Sequence, residues 1–186
     1  MAIKDVLHET EEKMKKTVVS VKREFAEVRT GRASPSLVEG ILVDYYGTKT
    51  PIKQLATIST PDARLIAIHP WDASCLAEVE KAIMQSNLGI TPNNDGKIIR
   101  ISIPHLTDER REELDKIVKR VAENGRVSLR TARRDANESL KQLEKNKEIA
   151  EDDRFKSQDQ VQKLTDKYTT QIDQVLAEKE KEIKEG

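Results

Sequence analysis

Arg126, Arg130, Arg133 and Arg134 follow one another at spacings of four, three and one, with no acidic residue between them. On a helix the first three share one face, and Lys119 falls on the same stripe upstream. The planar guanidinium presents a fork of donors matched to phosphate oxygens, so such a face can hold an RNA backbone. It also suits a solvated face whose arginines pair with acids on neighbouring helices, and the spacing does not choose between the two. Arg111, beside Arg110, and the pair Arg29 and Arg32 can extend the positive surface. Lys+Arg and Asp+Glu balance at 33 each, so no field of the whole molecule draws it to nucleic acid and an anionic partner must be met locally.

Other chemistry finds few residues to carry it. His8, His69 and His105 are far apart, and the sequence has no HExxH, no GxSxG and no Walker phosphate loop. No catalytic residue is assigned, and no cofactor is expected. Paired Cys or His spacings are missing, so no metal site is expected either. The single cysteine, Cys75, cannot form an internal disulfide, which suits a reducing compartment. No apolar run approaches the ~20 residues that span a bilayer, and residues 1–16 lack the apolar stretch of a secretory leader. A cytoplasmic protein without membrane attachment is expected. Phe25 and Tyr168 fall on apolar helical stripes and read as core, so recognition of a folded RNA backbone fits better than base stacking. Tyr45 and Tyr46, adjacent on a strand, should send one ring to the core and one to solvent, where it can touch a partner.

The elements that must position these residues follow from periodicity. Leu7, Met14, Val18, Val21, Phe25 and Val28 predict an amphipathic helix that stops at Thr30-Gly31. Between Pro35 and Pro104 the pattern changes. Residues 41–46, 65–68 and 98–103 read as strands, residues 73–86 as a short helix, and Pro51, Pro61, Pro92 and Asn93-Asn94-Asp95-Gly96 as turns. The helical period then returns, with Thr107 as N-cap and an apolar stripe from Leu114 to Leu143; a third helix starts at Glu151-Asp152-Asp153.

None of the three long helices can bury its stripe alone. The expected fold is therefore α+β: a three-helix bundle from residues 1–30 and 106–186, with a small α/β domain of residues 31–105 inserted. The two crossings, Thr30-Gly31-Arg32-Ala33-Ser34-Pro35 and Pro104-His105-Leu106, form a two-stranded connection able to act as a hinge. One apolar stripe per helix leaves little surplus for further association, so a monomer is expected.

Five strings in order, Val28 to Pro35, Tyr45-Tyr46-Gly47-Thr48, Val79-Glu80-Lys81-Ala82-Ile83, Arg133-Arg134-Asp135-Ala136-Asn137 and Val161-Gln162-Lys163-Leu164-Thr165, resemble segments of the ribosome recycling factors. The resemblance covers essentially the whole chain. It implies an L-shaped molecule whose bundle lies on large-subunit ribosomal RNA of the post-termination ribosome. It also implies that elongation factor G, which binds the GTP, drives the subunits apart while the recycling factor itself hydrolyses nothing. Carried onto matching positions, the resemblance marks Arg111, Arg130 and Arg133 as RNA contacts, followed by Arg134, Arg29 and Arg32. The competing expectation is a helical-bundle adaptor or an RNA-binding protein without recycling activity. The His69-Pro70-Trp71 turn and the tail from Glu182 to Gly186 depart from common family usage, which bears on which elongation factor would match.

Overall fold

The computed structural model describes residues 2–186, which divide into two compact units. One comprises the chain up to Arg29 together with Thr107–Glu185; the other comprises Thr30–Leu106 and groups with Gly186.

The first unit is a bundle of three long helices: α1 (Ile3–Glu27), α3 (Asp108–Lys145) and α4 (Glu151–Glu185), each packed against the other two. The stripe of α1 is Val6, Thr10, Met14, Val18, Val21 and Phe25. It therefore starts one residue before the predicted Leu7 and includes a threonine. Its Oγ1 donates to the Val6 carbonyl at 2.7 Å. In α4, Thr165 and Ser157 are buried in the same manner, donating to Val161 O at 2.8 Å and Asp153 O at 2.6 Å. These hydroxyls satisfy themselves one turn back, so they occupy core positions without an orphaned polar group. Met14, Leu129, Leu140 and Ile172 are fully buried and join the helices. Each contributes on the order of 1.5–3 kcal/mol by leaving water.

Thr107 caps α3 as expected, its side chain accepting from Arg110 N at 3.1 Å. At the other end Lys147 N donates to Glu144 O (2.8 Å) and Glu148 N to Leu143 O (2.9 Å). These two bonds make a Schellman close, with Lys147 at φ +60° where glycine is usual. Gly125, in the middle of α3, faces both α1 and α4. A Cβ built there would lie 2.7 Å from Val21 Cγ2 and 3.1 Å from Ile172 Cδ1, so a larger residue forces the side chains of α1 and α4 to shift.

The second unit is α/β. β1 (Leu42–Tyr45) and β2 (Thr48–Pro51) form a hairpin, and β3 (Ala56–Asp62), β4 (Leu65–Pro70), β5 (Asn93–Asn94) and β6 (Ile99–Ser102) form an antiparallel sheet in the order β3-β4-β6-β5. Ile66 and Ile68 of β4 stand opposite Ile101 and Ile99 of β6, and all four are fully buried. The short helix α2 (Leu76–Met84) adds Val79 and Ile83 to this core and packs against β1.

Four predicted turns prove to be strand in whole or in part: Pro51 is the last residue of β2, and His69-Pro70 end β4, each continuing its antiparallel ladder. Pro61 lies in β3, where the pairing register with β4 shifts between Ser59 and Asp62; β3 is an edge strand, so a residue without an N–H costs no ladder bond there. Asn93-Asn94 form β5, the opposite edge. β2 has no buried residue and most of β3 is polar and exposed, which is why alternation did not announce them.

Candidate nucleic-acid interface

All four arginines of the window lie on α3, but they are held differently. Arg126 is three-quarters buried and committed: its Nη2 lies 2.6 Å from Asp173 Oδ1 on α4, and its Nη1 3.3 Å from Glu123 Oε2. Arg130 is half exposed and reaches Glu123 Oε1 at 2.6 Å. Arg133 donates to Gln162 Oε1 on α4 at 3.2 Å, which braces the guanidinium without neutralising it. Arg134 is exposed and has no ion pair among the described residues. Arg130, Arg133 and Arg134, with Val127 and Thr131, line one shallow cleft of about 330 Å³.

Glu123 was not singled out by the sequence, because it precedes the arginine window. Three and seven residues upstream of Arg126 and Arg130, it sits on their face of the helix. First the Arg130 hydrogen bond and then the Arg126 one hold its carboxyl below the usual glutamate range. Val127 was also missed. Half exposed beside the arginines, it gives the cleft an apolar wall that an outward helix position does not suggest.

The other assigned arginines lie elsewhere. Arg111 is on α3, about 33 Å along the helix axis from Arg133 at 1.5 Å per residue. Its Nη1 contacts Asp108 Oδ1 at 3.2 Å. Arg29 follows the end of α1 in the bundle unit, whereas Arg32 belongs to the α/β unit; both are exposed. Lys119 is engaged by Asp115 at 2.7 Å.

Within the α/β unit one turn holds Ala33 of the first crossing and Ile103, the residue before the second. Ala33 N donates to Ala63 O at 2.7 Å and Ile103 N to Arg64 O at 2.8 Å, so neighbouring carbonyls of the β3–β4 turn hold both. Ser34 caps a short 3-10 turn that begins at Pro35. Gly31 has φ +76°, and a Cβ on it would stand 3.1 Å from Leu106 Cγ, so it is glycine for two reasons at once. His105 hydrogen-bonds Arg64.

Among the described residues no group of three or more His, Cys, Asp or Glu side chains is placed to hold a metal, and no helix is long and apolar enough to cross a membrane.

The comparisons with known proteins agree with one another. Residues 21–183 match the family model described as Ribosome recycling factor. The chain is 59% identical over 180 residues to the ribosome-recycling factor of Oleidesulfovibrio alaskensis, covering 97% of this chain and 98% of that one. It is 54% identical over 183 residues to that of Nitratidesulfovibrio vulgaris, covering 98% of each. Among solved structures it is similar to a solution structure of the ribosome recycling factor, with a TM-score of 0.76, 43% identity and coverage of 100% of this chain and 99% of that one. It is also similar to a chain from models for the T. thermophilus ribosome recycling factor and the E. coli elongation factor G bound to the E. coli post-termination complex. That match has a TM-score of 0.65, 40% identity and coverage of 98% and 99%. With a family model matched over most of its length and relatives above half identity end to end, the chain belongs to the ribosome recycling factor family.

Proposed function

We propose that this protein binds the post-termination ribosome through large-subunit ribosomal RNA and, with elongation factor G and GTP, promotes its separation into subunits and its release from messenger RNA. It acts in the cytoplasm as a monomer and hydrolyses nothing itself; the GTP belongs to its partner. The observation that carries the binding step is the cleft of Arg130, Arg133 and Arg134 on α3, where one guanidinium is braced by a neutral amide and another has no acid. Arg111, Arg29 and Arg32 serve as outlying phosphate contacts.

The long helices transmit force, because a packed bundle deforms little. The swing between the units takes place at Thr30, Gly31 and Arg32 and at Pro104, His105 and Leu106. Ala33, Ser34 and Pro35, expected as part of the hinge, move with the α/β unit to which Ala33 is hydrogen-bonded.

Binding of isolated large subunits across a salt series tests this reading. Affinity falls as salt rises, since phosphate contacts release counterions. Arg133→Ala weakens binding by about 1–3 kcal/mol, the range of a charged hydrogen bond, and flattens the salt slope by about one contact. Full binding by the folded variant would remove Arg133 from the interface.

A further inference from the structure

The hairpin of β1 and β2 turns on Tyr46-Gly47, both at positive φ (+48° and +81°), as a two-residue type I′ turn requires. Asparagine or aspartate is the ordinary occupant of the first position, and a bulky aromatic is held there at a cost in strain. Burial does not repay it, since Tyr46 is 79% exposed.

The ring is nevertheless fixed. It meets Tyr45 edge to face, with centroids 4.6 Å apart and planes at 71°. The Tyr46 hydroxyl lies 3.3 Å from Ser74 Oγ, which donates to Asp72 Oδ1 at 2.7 Å; the Tyr45 hydroxyl donates to Asp72 Oδ2 at 3.2 Å. One carboxylate thus orients both tyrosines. They open on a cavity of about 340 Å³ lined by Asp44, Tyr45, Tyr46, Ser74, Cys75 and Glu78.

No cation lines this cavity, and neither Asp44 nor Glu78 forms an ion pair among the described residues. Lys49 stands opposite Asp44 in the ladder but is not part of the lining. Glu78 is also favourably placed in the first turn of α2, which explains that acid and leaves Tyr46 unexplained.

We propose that this notch receives an arginine side chain from a segment of a protein partner. A guanidinium stacks on an exposed tyrosine face and divides its donors between flanking carboxylates, a fit that a compact ammonium makes less well. Phosphate is repelled by the same acids, so the notch is a protein contact and the RNA contacts stay on α3. The inference does not depend on the recycling role.

The test is a titration of the full-length protein, followed by backbone and tyrosine-ring NMR signals, with the blocked tripeptide acetyl-Gly-Arg-Gly-amide. The lysine analogue and a short oligouridylate are run in parallel. Arginine peptide shifts Tyr45, Tyr46, Ser74 and Glu78 saturably, and the lysine peptide binds more weakly. Tyr46→Asn removes the ring while installing a residue the turn prefers. Its melting temperature holds or rises, yet peptide affinity drops roughly two- to fivefold, what a cation–π contact at an exposed site amounts to. Glu78→Gln, a surface change on α2, lowers affinity without disturbing the hairpin. Shifts scattered over acidic helix faces, equal binding by Tyr46→Asn, or notch shifts with oligouridylate in place of peptide would each overturn the proposal.

Discussion

The bundle and the inserted domain each hold one non-glycine residue in the left-handed region, Lys147 at φ +60° and Tyr46 at φ +48°. At Lys147 the backbone explains everything: two carbonyls at the end of α3 are satisfied, and the side chain is exposed. At Tyr46 the backbone would be served better by asparagine, while the side chain is oriented by Ser74 and packed on a second ring. Equal local geometry therefore carries different information. Where a strained position is filled by an exposed side chain with no fixed partner ring or hydroxyl, the turn is its reason; where a large ring is held in the open, the ring is.

The two regions differ in the same way in their surfaces. The cleft on α3 gathers guanidinium groups and an apolar wall; the notch on the small domain gathers carboxylates and tyrosines. The first has the chemistry to meet phosphate and the second the chemistry to meet a cation.

Several changes break or sharpen this contrast. The largest effect is expected at Gly125, where the obstacle is space and not backbone conformation. Gly125→Ala gains up to about 1 kcal/mol of helix propensity but forces a methyl against Val21 and Ile172, and overpacking costs about 1–3 kcal/mol. Chemical denaturation should show a net loss of about 1 kcal/mol, and adding Val21→Ala should recover part of it. Stabilisation by Gly125→Ala alone would mean the helices can separate there freely. At Lys147 the obstacle is conformation. Lys147→Gly should raise stability by up to about 1 kcal/mol, with no change in large-subunit binding.

The smallest effect expected is a pH dependence in the bundle. Tyr168 donates to Glu11 Oε1 at 2.8 Å, joining α4 to α1, and this bond, with Lys15 and Lys167 nearby, holds the Glu11 carboxyl below its ordinary value of 4.5. A depressed folded pKa stabilises fully above the unfolded value. The contribution is present at neutral pH and is lost as pH falls below 4.5 through the folded value. Thermal melts of Tyr168→Phe and the parent protein should therefore converge towards acid pH; a constant gap would deny the coupling.

Much of the fold was legible because it repeats. The stripe from Leu114 to Leu143 is buried position by position, and Thr107 caps its helix. Polar core residues were not legible: Thr10, Ser157 and Thr165 sit on the stripes, but their back-bonding is a local conformation that composition does not report. Gly125 is silent for the same reason, since its meaning lies in Val21 and Ile172 on two other helices. β2 and β3 escaped because edge strands with polar residues carry no alternation.

Of the candidate interface, the periodicity placed Arg126, Arg130 and Arg133 on one helix face, whereas the cleft is lined by Arg130, Arg133 and Arg134 and Arg126 is tied to Asp173. That pairing depends on the register of α4 against α3, which no spacing within α3 encodes. Glu123 stands three and seven residues before Arg126 and Arg130, so helical spacing alone places it on their face.

The most direct measurement is light scattering of post-termination ribosomes mixed with this protein, a matching elongation factor G and GTP, each omitted in turn. A fall in scattering that requires every component, and that Arg133→Ala slows, is the result expected of a recycling factor bound through α3. No fall with a partner factor of verified activity would contradict recycling and leave the arginine cleft as an RNA-binding surface alone.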